Sequence, residues 1–267
     1  MLVDFTKMNG AGNDFILIDN RKIGLQLSQE QIQNICDRQR GVGADGIMLL
    51  REAKGEADLG WDFFNKDGSE GEMCGNGARC FARFAQSKLD GRESVSFETL
   101  AGIIQARLLG ENAIINLTPP VDLRISDHIK TSSGELEIHS VNTGVPHAVI
   151  FVENADKSIV SKLGKEIRYH DHYSPAGTNV NFVHLAGEKS IHVRTYERGV
   201  GETLACGTGV TASSLITAKL YGYCSPISVS VLGGDMLSVD FEKDGDSFKN
   251  IKLTGPAEFV FNGQIEI

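Results

Sequence analysis

Residues Ala78, Phe81, Ala82, Phe84 and Ala85 recur at three- and four-residue spacing, and so do Val210, Ser213, Ser214, Thr217 and Leu220. Both patterns predict a helix with one face turned to a core. Each run follows a Gly-rich loop carrying a cysteine, Cys74 or Cys206, and each loop follows a strand-like run, 61–65 or 191–197. Another helix is expected from Ser28 to Arg38, where Ser28 and Gln31 suit a capping box, and a weaker one from Ala155 to Lys165. Runs at 15–19 and 148–152 read as strands opening each half. Hairpins close the halves, at 95–109 with 114–117, and at 227–232 with 236–241 and 251–253.

That order of elements is written twice, at an offset of 132 residues. Phe64-Asn65, Glu70 and Cys74-Gly75-Asn76-Gly77 stand opposite Tyr196-Glu197, Glu202 and Cys206-Gly207-Thr208-Gly209, and Gly12 stands opposite Gly144. A near-match at an offset of 136 sets Leu117-Thr118 beside Leu253-Thr254. One short match is chance, whereas several in the same order are a duplication. The class expected is α+β, with two pseudo-symmetric lobes, each a curled, barrel-like β-sheet around a central helix. The expected lobes are 1–118, to which a last strand at 258–267 returns, and 119–257, with an active site in the cleft between them.

The 267 residues carry 26 Lys and Arg against 35 Asp and Glu, a formal net charge of −9 without any basic run. Such a chain is a poor partner for nucleic acid or an anionic membrane. No stretch approaches the ~18 apolar residues of a membrane span, and residues 1–10 lack the pattern of a secretory signal. Five cysteines without a CxxC pair argue against a disulfide framework and a zinc site, and fit a reducing cytoplasm. No metal site and no cofactor are expected.

Cys74 and Cys206 each stand at an expected helix start between glycines. The first N–H groups of a helix lack intrahelical partners and, with the macrodipole, favour an anion there. That anion is a substrate carboxylate or the cysteine's own thiolate. A dipole contribution of up to ~2 kcal/mol would bring a thiol pKa from ~8.5 to about 7, with burial opposing it. A thiol and a thiolate aimed at one sp³ carbon from opposite faces form a two-base pair: one removes a proton, the other delivers one, and the configuration inverts. No strong phosphate-cradling signature suggests pyridoxal phosphate.

Residues Met8-Asn9-Gly10-Ala11-Gly12-Asn13-Asp14-Phe15, Phe64-Asn65-Lys66-Asp67-Gly68-Ser69-Glu70, Cys74-Gly75-Asn76-Gly77-Ala78-Arg79-Cys80, and Tyr196-Glu197-Arg198-Gly199 through Cys206-Gly207-Thr208-Gly209 closely resemble the diaminopimelate epimerase family, in order and along essentially the whole chain. The resemblance implies that family's duplicated fold. It also implies cofactor-independent interconversion of LL- and meso-diaminopimelate, on the route to lysine and peptidoglycan precursors. Carried over by position, Cys74 takes the proton of the LL isomer and Cys206 that of the meso isomer. The amides of Gly75, Asn76, Gly207 and Thr208 bind the reacting carboxylate. Asn13 and Glu197 lie near the reacting amino group or its base, and His147 is a polar partner of the cysteine chemistry. Asn65, Asn179 and Arg198 read the distal amino acid end, where a guanidinium suits a carboxylate. The partner implied is a small molecule, and a homodimer is compatible.

Two positions depart from the pattern. Gly46 stands where many members carry glutamine, and Val145 where many carry asparagine. The loss of these polar side chains raises the expectation that a shorter α-amino diacid such as glutamate is also a substrate. Cys36, Cys80 and Cys224 are read as small buried hydrophobes, and His128, His139, His170, His172, His184 and His192 as surface or structural. The alternatives are a proline racemase or hydroxyproline epimerase-like enzyme and, from another class, a binding protein with a Cys74–Cys206 redox switch.

Overall fold

The computed structural model describes residues 1–154 and 160–267. They divide into two compact units, Met1–Ile115 with Gly255–Ile267, and Asn116–Thr254.

In the first unit the chain runs β1 (Leu2–Gly10), β2 (Asn13–Asp19), α1 (Gln29–Cys36), β3 (Gly46–Glu52), β4 (Leu59–Asn65), α2 (Gly75–Ser87), β5 (Ser94–Thr99), β6 (Gly102–Leu109) and β7 (Asn112–Asn116). The strands pair in that order. β1–β2, β3–β4, β5–β6 and β6–β7 are antiparallel, and β2–β3 and β4–β5 are parallel. Helix α2 touches β1, β2, β3, β5 and β6, so the sheet curls around it. Ten of its 13 residues are buried, the pattern of a helix enclosed on all sides. An aromatic cluster fills the space beside it. Phe81 meets Trp61 edge-on at 5.4 Å between ring centroids and Phe97 at 4.8 Å.

The second unit repeats the plan with β8 (Val121–Thr131), β9 (Gly134–Asn142), β10 (Pro146–Phe151), α3 (Val160–Arg168), β11 (Asn179–Gly187), β12 (Ser190–Glu197), β13 (Gly201–Thr203), α4 (Gly207–Tyr221), β14 (Ile227–Val231), β15 (Met236–Asp244) and β16 (Ser247–Pro256). β10–β11 and β12–β14 are parallel. β8–β9, β9–β10, β11–β12, β14–β15 and β15–β16 are antiparallel. From β9 to β16 the alternation of senses matches that from β1 to β7. Helix α4 is buried despite four polar residues, Thr211, Ser213, Ser214 and Thr217. Three of these return their hydroxyls to the carbonyl four residues earlier, at 2.7–2.9 Å. The last strand, β17 (Glu258–Glu266), pairs antiparallel with β1. It takes beside β1 the place that β8 takes beside β9. Each sheet is thus curled and unclosed, and the α+β class expected from the sequence is the one observed.

The local expectations mostly hold within a residue or two. Ser28 caps α1, its Oγ accepting from Gln31 N at 3.2 Å while Gln31 Oε1 accepts from Ser28 N at 2.9 Å. The helix stops at Cys36 rather than Arg38, because Asp37 turns extended and Arg38 leaves to pair with Asp14 and Asp45. Of the expected helix 155–165, residues 155–159 lie outside the described residues, and α3 continues to Arg168. The β8–β9 hairpin was not anticipated; Val121, Leu123, Ile125 and Ile129 alternate along β8, but Asp127 interrupts the pattern and only Ile129 is buried. Cys224, expected in the core, is exposed. It follows Gly222, which ends α4 in the left-handed conformation (φ 71°), and so falls on a surface connection.

The complete burial of Phe81 sets the expected cost of its removal. Phe81→Ala should destabilise the protein by about 3–5 kcal/mol, read as a lower urea midpoint with an unaltered slope. A loss below about 1 kcal/mol would show that the aromatic cluster is not what holds α2 in its sheet.

Candidate active site

In the first unit Cys74 is the N-cap of α2, with extended backbone (φ −139°, ψ 117°). Its carbonyl accepts the first intrahelical bond, from Ala78 N at 2.7 Å. Gly75 N and Asn76 N precede that bond, and Gly77 N points at the Cys74 Sγ at 3.4 Å. The sulfur is thus the helix cap, held where the dipole favours negative charge. On its other side Sγ lies 3.6 Å from Asn13 Oδ1.

Asn13 begins β2 after a tight turn in which Ala11 (φ 57°) and Gly12 (φ 83°) are both left-handed. Its Nδ2 donates to Asp45 Oδ2 at 2.8 Å. A carboxylate only accepts, so this contact fixes the amide with its oxygen toward the cysteine. Asp45 in turn accepts from Arg38 at 3.1 Å, and Arg38 grips Asp14 with two bonds of 2.7 and 3.0 Å. Buried Lys7 completes the chain, 2.8 Å from Asp14 and donating to Gly43 O. Burial raises the Asp14 pKa, but the bonds from Arg38 and Lys7 outweigh it and hold the carboxyl down at about 2.

Asn65 ends β4 opposite Gly46, with its Nδ2 on Ser69 Oγ at 3.1 Å. Gly46 has no room for a side chain, since a Cβ there would lie 2.6 Å from Phe64 O and 2.9 Å from the Phe63 ring. Asn76 is buried, and its Oδ1 accepts from Arg79 at 2.9 Å. Arg79 is itself fully buried and donates to Gly75 O and Pro256 O.

In the second unit Cys206 is the N-cap of α4 (φ −127°, ψ 109°), and Val210 N donates to its carbonyl at 2.8 Å. Its Sγ lies 3.3 Å from Glu197 Oε2 and 3.5 Å from Thr208 Oγ1. Glu197 stands at the end of β12, its other oxygen accepting from Thr203 at 2.7 Å. His147, at the start of β10, lies 2.9 Å from Thr208 Oγ1. Burial, and secondarily the charge of Arg198, push its pKa down to about 3, so the imidazole is neutral. Asn179 Oδ1 accepts from Arg198 N at 2.8 Å, holding the strand end that carries Glu197 and Arg198. The Arg198 guanidinium reaches Ala176 O at 3.3 Å.

The contacts tie Asn13 to Cys74 at the start of α2, and Glu197, Thr208 and His147 to Cys206 at the start of α4. Asn179 and Arg198 bond to each other where β11 begins and β12 ends, and Asn65 bonds to Ser69 beyond the end of β4. The sequence reading sets burial against the helix dipole, and at Cys206 burial prevails. Burial, then the Glu197 charge, raise its pKa well above the ordinary thiol value, against the Thr208 hydroxyl and the Gly209 amide. Cys206 is a thiol donating to a carboxylate. Cys36 and Cys80, both buried, are pushed up to about 12 and belong to the core as expected. Sequence reading missed Asp45, Thr203 and Asn181, the last of which reaches His147 Nδ1 at 3.1 Å. The signal for Asn181 emerges only from the strand register, which sets it where the first unit has Met48.

The fold is shared with enzymes of one architectural class. A Bacillus anthracis phenazine biosynthesis protein of the PhzF family superposes with a TM-score of 0.76 at 17% identity, covering 100% of both chains. A hydroxyproline epimerase from Agrobacterium vitis superposes at 0.74 and 18%, covering 99% of this chain and 92% of that one. Sequence narrows the class. The diaminopimelate epimerase family model matches residues 5–122 and 139–260. Diaminopimelate epimerases from Hydrogenobaculum sp. and Aquifex aeolicus are each 43% identical to the chain, covering 97% and 98% of it and as much of themselves. The chain belongs to the diaminopimelate epimerase family.

The charge chain behind Asn13 has a stability consequence with a definite sign. The Asp14 carboxyl has a folded pKa below its unfolded value, so its contribution is complete above about pH 4 and is lost as pH falls through about 2. The stability difference between the wild type and Asp14→Asn should shrink by about 2 kcal/mol between pH 6 and pH 2. Urea unfolding at both pH values reads this, and a pH-independent difference would contradict the ion-pair assignment.

Proposed function

We propose that the protein interconverts LL- and meso-diaminopimelate without pyridoxal phosphate, by a two-thiol mechanism. The observation that carries the reading is the pair of matched cysteine caps, each on the first turn of a buried helix and each with its own oxygen acceptor, Asn13 Oδ1 at 3.6 Å and Glu197 Oε2 at 3.3 Å. Family membership supplies the substrate.

In the LL-to-meso direction the Cys74 thiolate takes the α-proton, and the C–H electron pair passes into the substrate carboxylate as an enediolate-like anion. The amides of Gly75, Asn76, Gly207 and Thr208 stabilise that charge. The Cys206 thiol, protonated by burial and the Glu197 charge, delivers its proton to the opposite face. The reverse reaction exchanges the roles, with the Cys206 thiolate as base. Asn65, Asn179 and Arg198 hold the distal amino acid end. A reducing cytoplasm suits two thiols that must stay unoxidised. Gly46 and Val145 supply no polar side chain toward that end, which leaves glutamate as a weaker substrate.

Proton NMR in D₂O under reducing conditions tests this. The α-proton signal of LL-diaminopimelate should disappear, and Cys74→Ala and Cys206→Ala should each lower kcat/KM by roughly 10²–10⁴-fold. No exchange by folded, fully reduced protein would sink the reading. Full activity in either variant would sink the two-thiol mechanism. Glutamate in a parallel tube measures breadth: a preference for diaminopimelate above ~10⁴ would show that the missing polar contacts do not relax specificity.

A further inference from the structure

The internal duplication lets each unit serve as the control for the other, and the comparison exposes a difference behind the two cysteines. In the second unit His147 of β10 and Asn181 of β11 are buried, at 1% and 0% exposure, against the first turn of α4. A Cβ on Gly209 would collide with Asn181 Oδ1, so that glycine leaves the amide its place. In the first unit the equivalent strands β2 and β3 carry Phe15 and Met48 at these positions. There a Cβ on Gly77 would collide with Met48 Cε instead. One helix start is backed by hydrocarbon and the other by a hydrogen-bonded chain.

Every link in that chain has a defined direction. Asn181 Nδ2 donates to Ala148 O at 3.0 Å, and a carbonyl only accepts, so the amide orientation is fixed. Thr195 Oγ1 donates to Asn181 Oδ1 at 2.9 Å and confirms it from the other side. The second Asn181 N–H therefore points at His147 Nδ1, 3.1 Å away, and that nitrogen must be the acceptor. A neutral imidazole with Nδ1 unprotonated carries its proton on Nε2. Nε2–H donates to Thr208 Oγ1 at 2.9 Å. With that oxygen accepting from histidine, the Thr208 hydroxyl proton is directed to the Cys206 sulfur, 3.5 Å away.

We propose that Asn181 is a positioning residue of the second unit's thiol: by holding His147 as the Nε2–H tautomer it turns the Thr208 hydroxyl into a hydrogen-bond donor to Cys206 Sγ. The inference rests on the reading of Cys206 as a proton-transferring group. The donor is worth most when that sulfur is an anion, because a hydrogen bond to a charged group is stronger than one to a neutral thiol. It therefore favours the state in which Cys206 has given up its proton, against Glu197, whose charge opposes it. Reversing the tautomer would reverse the chain: Thr208 would donate to a bare Nε2, and the sulfur would lose this partner.

Two measurements made without substrate test the relay separately from the proposed reaction. In ¹⁵N-labelled wild-type protein, the His147 ring nitrogens should show the neutral Nε2–H tautomer near pH 7, and the Nδ1–H tautomer would overturn the proposal without any variant. In a Cys74→Ala background, iodoacetamide alkylation of Cys206 at pH 8, followed by peptide mass spectrometry, should slow about tenfold in Thr208→Val. Asn181→Leu should release the tautomer and slow alkylation in the same sense, and Thr208→Ser should restore the wild-type rate. The double variant Asn181→Leu/Thr208→Val should be no slower than Thr208→Val alone, because both act through one hydroxyl. Unaltered alkylation in Asn181→Leu, or effects that multiply in the double variant, would overturn it.

Discussion

A helix buried on every side must still satisfy the N–H groups of its first turn, and in both units the residue set there is a cysteine. At Cys74 the sulfur itself accepts from Gly77 N. At Cys206 the sulfur makes no cap hydrogen bond and lies instead beside Glu197 and Thr208. The curled sheets, the glycines after each cysteine and the strand ends bearing Asn13 and Glu197 all serve that geometry. A side chain at Gly77 or Gly209 would strike the strand behind it. The glycines that bring helix and sheet together are the same ones that leave backbone amides open to an anion.

The two units orient a polar group beside the sulfur by different means. The first uses charge: Lys7, Asp14, Arg38 and Asp45 hold one another so that Asn13 has a single orientation. The second uses neutral groups, Thr195, Asn181, His147 and Thr208, with the charge confined to Glu197. A duplicated fold has thus diverged in the polar packing behind its helices while keeping the strand order and the caps. Such divergence suits a reaction whose two isomers present different faces to two otherwise similar bases.

Much of this could be read from the chain alone, because the duplication and the cysteine motifs are local features. The capping box at Ser28 and the spacing of Phe81 and Phe84 are set by neighbours three and four residues away. What escaped depends on partners far along the chain. Asn181 sits in an apolar run between Val180 and Phe182, and only the arrival of α4 makes its amide structural. Which of the two sulfurs keeps its proton could not be read, because burial and the approach of Glu197 at Cys206 are tertiary facts, and both act against the dipole. The hairpin of β8 and β9 was not anticipated although Val121, Leu123, Ile125 and Ile129 alternate along β8, because Asp127 interrupts the run and most of its positions stay exposed or half-buried.

The placement of β17 bears on the order in which the chain can be assembled. The strand that borders β1 is the last in the chain, and Met1 N still reaches Ile267 O across 266 positions. The second unit has all its strands in one continuous segment, whereas the first lacks its outermost one until synthesis has passed through the whole of the other. The half that emerges first from the ribosome is therefore the half that is finished last. Until then β1 presents an unpaired edge, the kind of surface that invites association with another chain.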